Sequence, residues 1–151
     1  MLCHSLRLCC ALLEPVPTHE VTEGGQGNTS MGTILVIDDQ EPIRTLLRAA
    51  LEGDGHEVLE ASNGLLGLER YRERAADLII IDMLMPEMNG LELMAELTRS
   101  FLNVKVIAMS GVPQRRRGGL RAAELLGARQ TFQKPLEIRT LLDAVRYELA
   151  Q

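Results

Sequence analysis

The sequence predicts an α/β fold: a doubly wound, five-stranded parallel sheet with helices on both faces. Two observations carry that expectation. From Thr33 onward, strand-like and helix-like segments alternate five times. Four of the strand-like segments also finish an apolar run in a group able to bind a cation or a phosphoryl oxygen. They read Ile34-Leu35-Val36-Ile37-Asp38-Asp39, Leu78-Ile79-Ile80-Ile81-Asp82, Val104-Lys105-Val106-Ile107-Ala108-Met109-Ser110 and Thr131-Phe132-Gln133-Lys134-Pro135. The carboxyl ends of strands form the ligand-binding edge of an open parallel sheet, so these four ends converge there.

The first strand, 33–37, is β-branched and apolar. A helix follows from about Glu41, with Pro42 suited to its first turn. Ile43, Leu46, Leu47, Ala50 and Leu51 recur at the spacing of a buried helix face, and Gly53 and Gly55 end the helix. The second strand, 57–61, alternates in polarity and belongs nearer the sheet edge. Ser62 or Asn63 caps a second helix running to about Arg74, with Leu65, Leu68 and Tyr71 inward. The third strand, 77–81, is a continuous apolar run, the mark of a strand covered by helices on both faces.

Pro86 and Asn89-Gly90 turn the chain into a third helix, about 90–100, ahead of a fourth strand at 104–109. Glycines at both ends of Gly111–Gly119 confine the fourth helix to about Leu120–Leu126. Gly127 closes it, the fifth strand spans 130–133, and the last helix spans about 137–149. With strands 1, 3 and 4 the most apolar, the flavodoxin-like order 2-1-3-4-5 puts them in the middle of the sheet.

Residues 32–151 thus form one domain, and residues 1–31 read as a disordered extension. A second reading makes Met31 the true start, two residues before the first strand. All three cysteines, Cys3, Cys9 and Cys10, fall in the first ten residues and fit neither a disulfide framework nor zinc spacing. Reduced thiols in a cytoplasmic protein match that usage. The opening apolar run is short, is broken by Arg7 and lacks a cleavage site. No later run approaches the roughly 18–20 residues that span a bilayer. A net charge of −5, two Tyr, two Phe and no Trp argue against general nucleic-acid binding. Gln151 directly follows the last helix, so no attached DNA-binding output domain is expected.

Asp38 and Asp39 repel each other unless a cation intervenes, although an isolated Asp-Asp serves as readily to cap a helix. Asp82 at a second strand end favours the cation. Three carboxylates with main-chain oxygens and waters suit Mg²⁺. Lys134 alone would be a solvated loop residue, but at the end of strand five it reaches toward the central strand. There it offsets a carboxylate or an attached phosphoryl group. A cis bond to Pro135 would fix its aim. Ser110 offers a hydroxyl to a phosphoryl oxygen. No Gly-x-x-x-x-Gly-Lys loop grips a nucleotide, so a phosphoryl group must come from a partner or a small donor.

Ile-Asp-Asp, Asp-Met-Leu-Met-Pro-Glu-Met-Asn-Gly, Ala-Met-Ser-Gly and Gln-Lys-Pro, in that order, resemble a response-regulator receiver domain over residues 32–150. The resemblance implies phosphoacceptor Asp82, metal-site acids Asp38 and Asp39, switch hydroxyl Ser110 and phosphate-contacting Lys134. It further implies a metal contact from the Leu84 main-chain carbonyl. The implied function is a two-component signalling switch or phosphorelay carrier, charged by a histidine kinase or histidine phosphotransfer protein. It catalyses only its own phosphoryl uptake and slow hydrolysis. An alternative is a receiver fragment of a hybrid kinase or multidomain regulator. An Mg²⁺-dependent phosphohydrolase with an Asp nucleophile is disfavoured, because the acid/base carboxylate expected two residues on is Leu84.

Three positions depart from the family pattern. Thr131 stands where an aromatic residue is usual, which predicts an output change through loop 111–119 with Thr131 passive. Leu84 and Val112, at positions that tune phosphate lifetime, are apolar and cannot orient water, which predicts slow self-dephosphorylation. Arg115-Arg116-Arg117, with Arg121 and Arg129, reads as a solvated charge run or as a docking patch for an acidic partner.

Overall fold

A computed structural model describes residues 31–111 and 118–151. The expectations for the first 30 residues, for Val112 and for Arg115–Arg117 lie outside the described residues. Among those described, no helix is long and apolar enough to cross a membrane.

The elements follow the predicted order: β1 (Thr33–Ile37), α1 (Glu41–Gly53), β2 (Glu57–Ala61), α2 (Gly64–Glu73), β3 (Leu78–Asp82), α3 (Gly90–Ser100), β4 (Val106–Ser110), α4 (Gly118–Leu125), β5 (Gln130–Gln133) and α5 (Ile138–Leu149). All strand pairings are parallel, in the flavodoxin-like order β2-β1-β3-β4-β5. The register sets Ile37 beside Ile81, Asp82 beside Met109 and Ser110 beside Gln133, so the carboxyl ends of the central strands finish level.

Alternation along each strand divides the core into two layers. Leu35, Ile37, Ile79, Ile81 and Ala108 pack against Leu68 and Tyr71 of α2, Leu93, Met94 and Leu97 of α3, and Ala123 of α4. Ile34, Val36, Leu78, Ile80, Ile107 and Met109 pack against Leu47 and Leu51 of α1 and Leu141, Ala144 and Val145 of α5. β1, β3 and β4 are covered on both sides, which explains why they read as unbroken apolar runs. Truncating Ile80 to Ala in such a layer costs about 2–5 kcal/mol.

The exposed edge is defended by charge. On β2, Glu57 pairs with Arg74 of the α2 C-cap, and Glu60 pairs with Arg48 of α1 at 2.6 Å. The Asn63 side chain accepts from the Leu66 N–H at 2.8 Å and caps α2; Asn89 accepts from the Leu91 and Glu92 N–H groups at 3.0 Å and caps α3.

Two inward assignments need correction. Leu46 and Leu65 are 46% and 56% exposed. On α1 the buried stripe narrows to Leu47 and Leu51. On α2, Gly64 and Gly67 take the inner face with Leu68 and Tyr71, and a Cβ on Gly67 would lie 2.5 Å from Ile37 Cδ1. The helix approaches the sheet too closely there for a side chain, and Leu65 is turned outward.

Candidate acidic phosphoacceptor site

The Asp38-Asp39 turn leaves β1 under close control. The Asp38 N–H donates to the Ala61 carbonyl at 3.2 Å, carrying the β1–β2 pairing one residue beyond the strand. Asp38 Oδ1 accepts from the Gln40 N–H at 2.8 Å. Gln40 is the N-cap residue of α1 and makes no side-chain cap, so neither acid is used to cap the helix in its first turn.

Asp82 ends β3, and both Asp38 and Asp82 are buried whereas Asp39 is exposed. One carboxylate oxygen from each of Asp38, Asp39 and Asp82 lies within 4.8 Å of the others. The predicted acidic cluster is therefore assembled, with one open side.

Lys134 reaches this cluster from β5. Its N–H donates to the Ser110 carbonyl at 2.8 Å, and its peptide bond to Pro135 is cis. The ammonium nitrogen stands 2.6 Å from Asp38 Oδ2 and 3.3 Å from Asp82 Oδ2, bridging the two buried carboxylates. Ser110 is buried at the end of β4, adjacent to β5 at Gln133. The Leu84 N–H donates to Asp82 Oδ1 at 3.3 Å, and its side chain is 53% exposed. A Cβ on Gly90 would lie 2.6 Å from the Asp82 carbonyl oxygen, so only glycine lets the start of α3 close against the end of β3.

Burial pushes the Asp82 carboxyl above its ordinary value, and the neighbouring Asp38 charge adds to the rise; Lys134 and the Leu84 N–H oppose it without cancelling it. Burial alone would lower the Lys134 ammonium. The hydrogen bond to Asp38 and the charges of Asp82 and Asp38 outweigh that cost, and its pKa is raised. The pocket thus holds a relatively basic carboxylate beside a firmly protonated amine.

Arg44 carries no motif signal in the sequence, yet it borders the site. Its Nη1 donates to the Asp38 carbonyl at 2.8 Å, and its Nε lies 3.6 Å from Glu60. On the flank, a groove of about 410 Å³ is lined by Leu120, Arg121, Glu124, Thr131 and Gln133. Thr131 faces α4, donating to Glu124, while Phe132 packs in the layer beneath α5.

A doubly wound sheet with acids at the carboxyl ends of its first and third strands and a lysine at that of its fifth defines a class of phosphoryl-handling signalling domain. The response regulator receiver domain model matches residues 34–146, and the chain belongs to that family. Sporulation initiation phosphotransferase F of Bacillus subtilis is 33% identical over 113 residues, which cover 75% of this chain and 90% of that protein. Chemotaxis protein CheY of Thermotoga maritima is 31% identical, with 74% and 92% covered. Among solved structures, a CheY-like receiver domain protein from Methanospirillum hungatei superposes with a TM-score of 0.73 at 26% identity, covering 80% of this chain and 94% of that one.

Proposed function

We propose that this receiver domain is a phosphorylation-driven switch that accepts a phosphoryl group on Asp82. The donor is a phosphohistidine on a histidine kinase or histidine phosphotransfer protein. The observation that carries the reading is the Lys134 ammonium set between Asp38 and Asp82, at 2.6 and 3.3 Å. That placement leaves a cation beside the only one of the three acids that ends the central strand β3. A relative named as a phosphotransferase fits the same chemistry.

Two oxygens on one octahedral Mg²⁺ stand about 3–4 Å apart, at metal–oxygen distances of about 2.1 Å. Carboxylates already within 4.8 Å need only a small inward adjustment to share such an ion. Asp38, Asp39 and Asp82 would hold it with the Leu84 carbonyl. Bound there, it supplies positive charge for the equatorial oxygens of the transferring group.

A carboxylate oxygen of Asp82 forms the new bond to phosphorus as the donor's N–P bond breaks, and the electron pair returns to the imidazole nitrogen. Lys134 releases part of its hold on the carboxylates and pairs with the arriving phosphoryl oxygens. The Ser110 hydroxyl donates to another of those oxygens. Output then passes by protein–protein contact.

Purified protein incubated with acetyl phosphate and Mg²⁺ should gain the mass of one phosphoryl group, and Asp82→Asn should not. Equal incorporation in the variant would overturn the assignment of Asp82.

A further inference from the structure

We infer that Arg44 is a positioning residue that sets the affinity of the acidic site for a divalent cation, with Glu60 orienting it from β2. The inference rests on the Mg²⁺ site proposed above. The peptide unit joining Asp38 to Asp39 carries the two acids on its two ends. Its carbonyl oxygen accepts from Arg44 Nη1 at 2.8 Å, from within the first two turns of α1. Rotation of that unit about the chain would swing the exposed Asp39 carboxylate relative to the buried Asp38. The guanidinium blocks this rotation.

The guanidinium is itself held. Its side chain is only 15% exposed, and its Nε lies 3.6 Å from Glu60. Glu60 lies on β2, aligned with Val36 in the sheet and one residue before Ala61, whose carbonyl accepts from the Asp38 N–H. The Asp38 peptide groups are therefore fixed on both sides by β2 and its partner arginine. Outer contacts of this kind orient metal-binding carboxylates and typically alter affinity by about 10–100-fold when removed.

The alternative is that Arg44 acts only as a nearby positive charge. The two roles predict opposite signs. A cation beside an acidic site weakens divalent binding by repulsion, so removing it would strengthen binding. Loss of a positioning contact weakens binding, and Lys cannot replace the planar fork that reaches both the Asp38 carbonyl and Glu60.

Mg²⁺ titrations followed by amide NMR shifts test this without any phosphoryl donor. Both Arg44→Met and Arg44→Lys are expected to weaken binding by about tenfold. Glu60→Gln should weaken it less, and should add nothing in the Arg44→Met background. Arg48→Met provides the control: Arg48 pairs with the same Glu60 at 2.6 Å, and its affinity for Mg²⁺ should match that of the wild type. Metal-free melting curves confirm that each variant is folded at the titration temperature.

Unchanged affinity in folded Arg44 variants overturns the inference, as does tighter binding in Arg44→Met with Arg44→Lys unaffected. Equal weakening in Arg48→Met also overturns it, by tracing the effect to the charge pair rather than to the Asp38 carbonyl. A wild type that does not saturate with Mg²⁺ overturns the metal-site reading along with it. Saturation by the wild type with matching Arg44 variants overturns the positioning role alone.

Discussion

The hydroxyl of Thr131 donates to the Glu124 carboxylate at 3.2 Å, across the groove between β5 and α4, and that carboxylate also pairs with Arg121 at 3.0 Å. A small polar contact therefore occupies the face where many family members place an aromatic ring. Thr131→Val should change stability by no more than about 1 kcal/mol, the usual net worth of an exposed hydrogen bond. On phosphorylation, amide shift changes should concentrate in residues 111–119. Changes confined to Thr131 and its packing neighbours would reverse that prediction.

The lifetime of the phosphorylated state should be long, because Leu84, whose main-chain N–H reaches Asp82, carries an apolar side chain that cannot orient water. Leu84→Asn, alone or with Val112→Glu, introduces groups that can orient an attacking water. Decay of the acyl phosphate should then accelerate by roughly tenfold or more, a modest share of what positioned acid–base groups achieve. Loss of the phosphorylated mass with time gives the rate directly. Identical decay in the variants would remove Leu84 from the explanation.

Asp82 also makes the metal-free fold sensitive to pH. Its carboxyl titrates above the ordinary 3.8 in the folded state, so its ionised form destabilises that state. The cost is absent at pH below the ordinary value. It develops as pH rises from the ordinary value toward the raised one and is constant above that. Asp82→Asn removes the charge, so in the absence of Mg²⁺ the variant should melt a few degrees above the wild type at neutral pH. That gap should shrink as the pH falls toward about 4. Saturating Mg²⁺ should stabilise the wild type and leave the variant nearly unchanged. Thermal melts across pH, with and without the ion, measure all three.

Removing Lys134 should act in the other direction. Asp38 is fully buried, and its nearest cation would be gone. Lys134→Met should cost the metal-free protein about 3 kcal/mol, as expected when one member of a buried pair is lost. Mg²⁺ should restore most of that stability, since it supplies positive charge to the same oxygens. Urea unfolding with and without the ion would register both effects. A variant as stable as the wild type without metal would mean that Asp38 does not depend on the lysine.

The sheet and its order were readable because burial on both faces leaves unbroken apolar runs, and strands ending in acids mark the functional edge. The helices were less transparent. Leu46 and Leu65 satisfy a helical repeat, but periodicity does not say how wide an arc the sheet covers. That depends on the distance between helix and sheet, which Gly67 sets through its approach to Ile37 of β1. Asp38, Asp39, Asp82, Ser110 and Lys134 could be named because each lies at, or within two residues of, the carboxyl end of a strand. Arg44 could not, since its partners are a carbonyl and a residue on another strand, neither of which leaves a local pattern. His56 was equally silent. It is buried beside Asp54, where Arg146 of α5 joins the end of α1.

The salt bridge between Asp38 and Lys134 joins groups 96 positions apart in the chain. A ribosome must therefore deliver nearly the whole domain before the two can meet. Until β5 is in place, Asp82 lies beside Asp38 without its compensating cation. A nascent or truncated receiver would carry the acids without the lysine that bridges two of them. The charge balance of the acidic cluster is thus completed only when the last strand of the sheet has docked.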